Sequence, residues 1–173
     1  MWPRAFYRAA QFVRYLNPAP LNPTEQALVD SVLPSAQAAL FRRMSPGEQA
    51  HCLTVFRLLQ PSAAPPELLQ AALLHDVGKC RAPLSTLERV QVVLGYHFFS
   101  KRMLAWGAGE PHGWRKPFVV AAQHPTWGAE LAEQAGAAPL VVSLIRRHQD
   151  HHFSIHSTED ELLLRLQSAD NES

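Results

Sequence analysis

Cysteine is scarce in this chain: Cys52 and Cys80 are the only two in 173 residues. That rules out a disulfide framework and makes a reduced, cytoplasmic setting the expectation. No stretch approaches the roughly 20 apolar residues of a membrane span. The opening residues, MWPRAFYRAAQFVRYLNP, lack the compact apolar core and small-residue cleavage site of a secretory signal. They place Arg4, Arg8 and Arg14 among Phe6, Phe12, Val13 and Leu16, a pattern expected to form a short helix docked on the core rather than a membrane-surface helix. Charge of either sign is also in short supply as an excess. The formal net charge is +1, which favours neither an acidic partner nor nucleic acid, so no stable nucleic-acid complex is expected. Strand signals are few, and there is no internal repeat or low-complexity tract.

What is present is helical. A hydrophobic fraction of 47% with 18% charged residues is that of a globular chain able to bury one sizeable core. Pro3 can open a first helix that ends at the stiff NPAPLNP. TEQALVDSVLPSAQAALFRRM reads as one helix broken near Pro34, or as two. Ser45-Pro46-Gly47-Glu48 is a capping-box pattern with proline at the first helical position, and it launches EQAHCLTVFRLLQ. PELLQAALLHDVGK is apolar on nearly all sides, as befits a central buried helix. LSTLERVQVVLG and YHFFSKRMLAWG are two further helices. The loop GAGEPHGWRKP follows, and FVVAAQH and PTWGAELAEQAG are expected as two helices meeting at Pro125. PLVVSLIRRHQ is amphipathic, HHFSIH is loop, and Ser157-Thr158-Glu159-Asp160 opens the last helix. The fold class is all-α, a single-domain helical bundle of roughly eight to ten helices. Residues 1–44 would supply N-terminal helices packed on a core domain of residues 45–173.

Nine histidines are the compositional outlier. His75 ends an apolar run, AALL, and is followed at once by Asp76 and, three residues on, by Lys79. An ionised carboxylate buried without a partner costs several kcal/mol, so Asp76 needs compensation. Neighbours on one helix lie about 100° apart and can flank a cation beside it, with one Asp76 oxygen left for a second ion. Imidazole with carboxylate suits Mn, Fe, Ni, Co, Mg or Zn. Further ligands must come from other helices, and His51, His124, His148 and Asp170 all stand within or beside apolar-periodic segments. Taken singly, each is more readily read as a hydrogen-bonded or half-exposed side chain.

The order H … HD … D, with LLHDVGK at its centre, resembles the HD superfamily of metal-dependent phosphohydrolases over about His51 to Asp170. The resemblance implies the helical HD-domain (PDEase-like) fold, with His51, His75, Asp76 and Asp170 as ligands of one divalent metal. HPTWGAEL followed by LIRRHQ is similar to the H-P-x-x-G … H-H stretch of the subgroup containing HD-GYP phosphodiesterases. That implies a second ion held by His124 and His148 and bridged by Asp76. The chain departs from this subgroup in three places. His148-Gln149 stands for the histidine pair, the G-Y-P signature is absent, and Gly47 occupies the place of a glutamate in trinuclear members. These departures argue against a trinuclear site and against cyclic di-GMP as substrate.

The implied activity is hydrolysis of a phosphomonoester or phosphodiester, such as a nucleotide, by a metal-activated water. The resemblance places Lys79 near the substrate phosphate; a salt bridge to Asp76 is its alternative. One of Arg146 and Arg147 could reach the pocket, and one of His151, His152 and His156 could stand in at Gln149. His97 and His112 fall outside the pattern. Trp106, Trp114 and Trp127 are read as packing residues or base-stacking platforms, and the two cysteines as small apolar fillers. The rival reading is a catalytically weak HD-fold signalling or binding module, and a third is a domain that only stores metal.

Overall fold

Local sequence signals start most of the helices. In a computed structural model describing residues 19–150 and 154–173, α1 (Pro23–Val32), α3 (Pro46–Leu59) and α5 (Thr86–Trp106) begin with reciprocal capping boxes. The caps are Asn22 with Glu25, Ser45 with Glu48 and Ser85 with Glu88. Each pair satisfies two backbone donors that the first helical turn leaves without partners. The remaining helices are α2 (Ser35–Phe41), α4 (Pro66–Leu74), α6 (Lys116–Gln134), α7 (Pro139–Arg147) and α8 (Thr158–Glu172). The described residues contain no strand, and the fold is all-α. The N-terminal segment expected as an Arg-bearing helix lies outside the described residues, as do His151 and His152.

Helices α3, α4, α7 and α8 surround a common core. Cys52, Leu53, Val55 and Phe56 of α3 meet Leu68, Leu73 and Leu74 of α4, Leu144 and Ile145 of α7, and Leu163 and Leu166 of α8. Val29 and Phe41, from α1 and α2, are buried in the same cluster. The expected break near Pro34 is present, so TEQALVDSVLPSAQAALFRRM forms two helices.

Three expectations about helix limits are corrected. The helix of PELLQAALLHDVGK ends at Leu74; His75 is its C-cap, Asp76 takes φ −93° and ψ 0°, and a 3-10 turn covers Val77–Arg81. The tightening is a packing requirement. A Cβ on Gly78 would lie 2.0 Å from the carbonyl oxygen of His124 and 2.6 Å from the amide nitrogen of Gly128. The turn therefore presses backbone to backbone against α6, glycine against glycine. LSTLERVQVVLG and YHFFSKRMLAWG form the single helix α5, kinked at Phe99 (φ −133°, ψ 31°). Gly95 does not end it, because its bare Cα is covered by Phe118 and Met103. Pro125 does not split α6 either. Its missing amide strands the carbonyl of Ala121 four residues back, and the ring Nδ1 of His124 lies 3.1 Å from that oxygen.

Gly78→Ala forces the turn off α6. Overpacking of this kind costs about 2 kcal/mol, so the melting temperature should fall by roughly 5 °C. Thermal denaturation followed by circular dichroism measures it, and an unchanged transition would contradict the backbone contact.

Candidate metal centre

Four helices and the turn after α4 deliver the site. His51 projects from α3, His75 and Asp76 from the end of α4, His124 from the middle of α6, His148 from the C-cap of α7 and Asp170 from the last turn of α8. His75, Asp76, His124 and His148 are all buried, whereas Asp170 is partly exposed.

The donor atoms fall into two lobes that share Asp76. In the first, His51 Nε2 lies 2.9 Å from Asp170 Oδ1 and 3.9 Å from Asp76 Oδ2. His75 Nε2 is 3.6 Å from Asp170 Oδ1 and 3.8 Å from Asp76 Oδ2. In the second, the other oxygen, Asp76 Oδ1, is 3.3 Å from His124 Nε2, which is 3.2 Å from His148 Nε2. One carboxylate thus presents one oxygen to each lobe. All six residues singled out from the sequence converge.

The tautomers sharpen this arrangement. Each buried ring has its Nδ1 on a backbone carbonyl of its own helix: His75 on Ala72 at 2.9 Å, His124 on Val120 at 3.0 Å, and His148 on Ile145 at 2.7 Å. With Nδ1–H donated there, a neutral ring turns a bare Nε2 lone pair into the pocket, the orientation a metal-binding histidine adopts. His75 Nε2 is buried with no hydrogen-bond partner, and the Nε2 atoms of His124 and His148 face each other. Lone pairs and carboxylates pointing at one another repel unless a cation stands between them. The donor set, imidazole with carboxylate, fits a divalent metal.

Without a metal, protons and Lys79 take over part of that compensation. Burial pushes the Asp76 carboxyl up, but Lys79, His75 and His124 more than offset it and hold it well below the ordinary value. Burial likewise works against the Asp170 carboxylate, and the hydrogen bond from His51 together with the charge of a protonated His75 overcomes it. His75 is pushed down by burial yet pulled well above its usual value by its surroundings, the Asp76 and Asp170 carboxylates being the charged groups among them. His148 is driven down to about 3, first by burial and then by the charges of His75 and His124. Burial raises the Cys52 thiol, whose sulfur lies 3.8 Å from His75 Nδ1, so it remains a neutral filler as expected.

A model of the HD domain family matches residues 49–171. The chain belongs to the HD domain family. No curated protein and no solved structure matches it at a significant level. HD domains are typically metal-dependent hydrolases, and the paired lobes of this one are compatible with divalent metal binding. No helix among the described residues is long and apolar enough to cross a membrane.

The residues around the donors divide between the cleft and the protein's own ion pairs. Lys79 Nζ is 2.6 Å from Asp76 Oδ2, so its salt bridge is present, and the same side chain also lines the adjoining cleft. Neither arginine of α7 lines that cleft: Arg146 is exposed, and Arg147 reaches Glu159 Oε1 at 2.6 Å and Asp160 Oδ1 at 2.7 Å, tethering the helix that carries Asp170. Gln149 Nε2 lies 3.4 Å from His124 Nε2. His156 is exposed at the start of α8, where its amide bonds Asp160. His97 and His112 are exposed and away from the site. Trp106 packs on Trp114 and Phe118, and the aromatic ring lining the cleft is Tyr96. Arg89 and its pairing with Glu48 escaped sequence reading. Glu48 is almost fully buried, and its Oε1 is 2.9 Å from Arg89 Nη2 while Oε2 completes the α3 capping box. The capping pattern announced that glutamate, but nothing local announced its second partner.

The Arg147 tether carries a pH signature. Arg147, Ser157 and the His156 amide hold the Asp160 carboxyl down at about 2. A depressed carboxylate stabilises the fold fully above its unfolded value near 4 and loses that contribution as pH falls through about 2. Carbon-13 titration should place the Asp160 midpoint near 2 and return it toward 4 in Arg147→Met. A wild-type midpoint near 4 would contradict the tether.

Proposed function

We propose that this HD domain is a divalent-metal-dependent phosphohydrolase, cleaving a phosphomonoester or phosphodiester bond of a small molecule such as a nucleotide. The observation that carries the reading is Asp76, which offers one oxygen to His51, His75 and Asp170 and the other to His124 and His148. In this reading His51, His75, Asp76 and Asp170 hold one cation, and Asp76, His124 and His148 hold a second. Divalent cations held there supply Lewis acidity and a water nucleophile active near neutral pH.

The protein's own groups do the rest. The three backbone-anchored imidazoles keep their Nε2 atoms directed inward, so little reorganisation is needed on binding. Lys79 and Arg89 line the cleft beside His124 and offset the charge of a phosphate, whose transfer depends mainly on positioning and charge stabilisation. Lys79 serves Asp76 in the absence of substrate and turns toward the phosphate when one binds. The phosphohydrolase domain spans residues 45–173, with α1 and α2 packed on its core, and a reduced cytoplasm keeps Cys52 and Cys80 as thiols. The reading as a weakly catalytic module is opposed by the presence of all four donors of the first lobe, His51, His75, Asp76 and Asp170.

Turnover of a nucleotide and phosphodiester panel with Mn, Ni, Co or Mg, beside metal content, tests this. Asp76→Ala should lose bound metal and at least about a hundredfold in rate, whereas Lys79→Gln should keep metal and lose about ten- to a hundredfold in kcat/KM. An Asp76→Ala protein as fast as wild type would overturn the assignment.

A further inference from the structure

The cleft beside the metal centre has two unlike sides. Its volume is about 270 Å³, with Lys79, His124 and Gln149 at the end next to the metal-binding donors. Helix α5 contributes Arg89, Val92, Val93 and Tyr96 to the lining. The spacing i, i+3, i+4, i+7 puts these four on one stripe of the helix. A cation stands at the start of the stripe and an apolar surface follows it.

Two features of this stripe bear on what the cleft holds. Arg89 is fixed in direction, because Glu48 Oε1 holds Nη2 at 2.9 Å and the Leu84 carbonyl lies 3.3 Å from Nε. Glu48 is itself anchored in the α3 cap, so the guanidinium is referenced to the same helix that carries His51. Val93 and Tyr96, by contrast, remain 61% and 48% exposed although they line a cleft. Apolar side chains in that position gain from being covered. A phosphate ester of a small polar alcohol would leave them in water; an ester of an apolar ring would cover them while its phosphoryl group remained beside Lys79 and Arg89.

We propose that α5 is the specificity wall of this HD domain. It selects phosphate esters whose organic part is an apolar or aromatic ring, seated on Val92, Val93 and Tyr96, with Arg89 directed at the phosphoryl end. The inference rests on the phosphohydrolase reading and narrows its substrate class; a nucleobase is one such ring, and a simple aryl group another.

The test is equilibrium binding of two non-hydrolysable probes, phenylphosphonate and methylphosphonate, to the full chain with Mn²⁺ added. Titration calorimetry on the wild type should show phenylphosphonate binding about tenfold tighter, the gain expected for covering part of a ring. The ratio should collapse toward one in Val93→Asp and in Tyr96→Ala, both surface positions whose folding is checked by thermal melting. It should survive in Leu104→Asp, which is 87% exposed on the same helix and does not line the cleft. Equal or absent binding of the two probes to wild type, or a preference that survives both cleft substitutions, would overturn the proposal. Ester turnover is scored separately, so an inactive protein that still prefers phenylphosphonate would fail the phosphohydrolase reading and not this one.

Discussion

The structure is organised around the repulsion that Asp76 and its neighbours would suffer without a positive charge among them. Two carboxylates and the Nε2 atoms of four histidines occupy one pocket, and three of the rings have Nδ1 on a backbone carbonyl. An arrangement of bare lone pairs in a low-dielectric setting is costly. It is tolerable when a cation completes it, and in the metal-free protein Lys79 and a raised His75 serve that purpose in part. The burial of Asp76 and its compensation are therefore one design feature seen from two sides.

Backbone geometry keeps the pocket in register. Gly78 lets the turn after His75 and Asp76 lie directly on α6 at His124 and Gly128, so the two lobes are set by contact between main chains rather than by flexible side chains. Pro125 acts in the same direction. By withholding an amide from the Ala121 carbonyl it leaves an acceptor beside His124 Nδ1, which favours the tautomer whose Nε2 faces Asp76. The dipeptide His124-Pro125 inside a continuous helix is thus a means of fixing a ring nitrogen. At the far end of the chain, Arg147 ties α8 to α7 and so holds Asp170 within reach of His51.

Much of this was legible in the residues. Apolar periodicity, the capping box at Ser45 and the N-cap pattern at Ser157 located their helices, and LLHDVGK with His51 and Asp170 in order pointed to the first lobe. HPTWG and the His148 position pointed to the second. What escaped notice depends on long-range packing. Pro125 is a local helix-breaker signal, and tertiary contact plus the His124 ring overrode it. Gly95 reads as a stop, yet burial against Phe118 keeps α5 running. Of the two arginines offered as pocket residues from their nearness to His148, Arg146 is exposed and Arg147 belongs to Glu159 and Asp160, while Arg89, remote in sequence from the candidate ligands, lines the cleft. Charge partners across a fold leave no periodic trace, so sequence reasoning gathers candidate donors better than it finds the residues around them.

The central claim is that Asp76 joins two cation positions. Anomalous diffraction from crystals grown with Mn²⁺ measures this directly. The account predicts two peaks flanking the Asp76 carboxylate, one against His51, His75 and Asp170 and the other against His124 and His148. Manganese bound elsewhere on the surface, with the Asp76 pocket holding none, would contradict it.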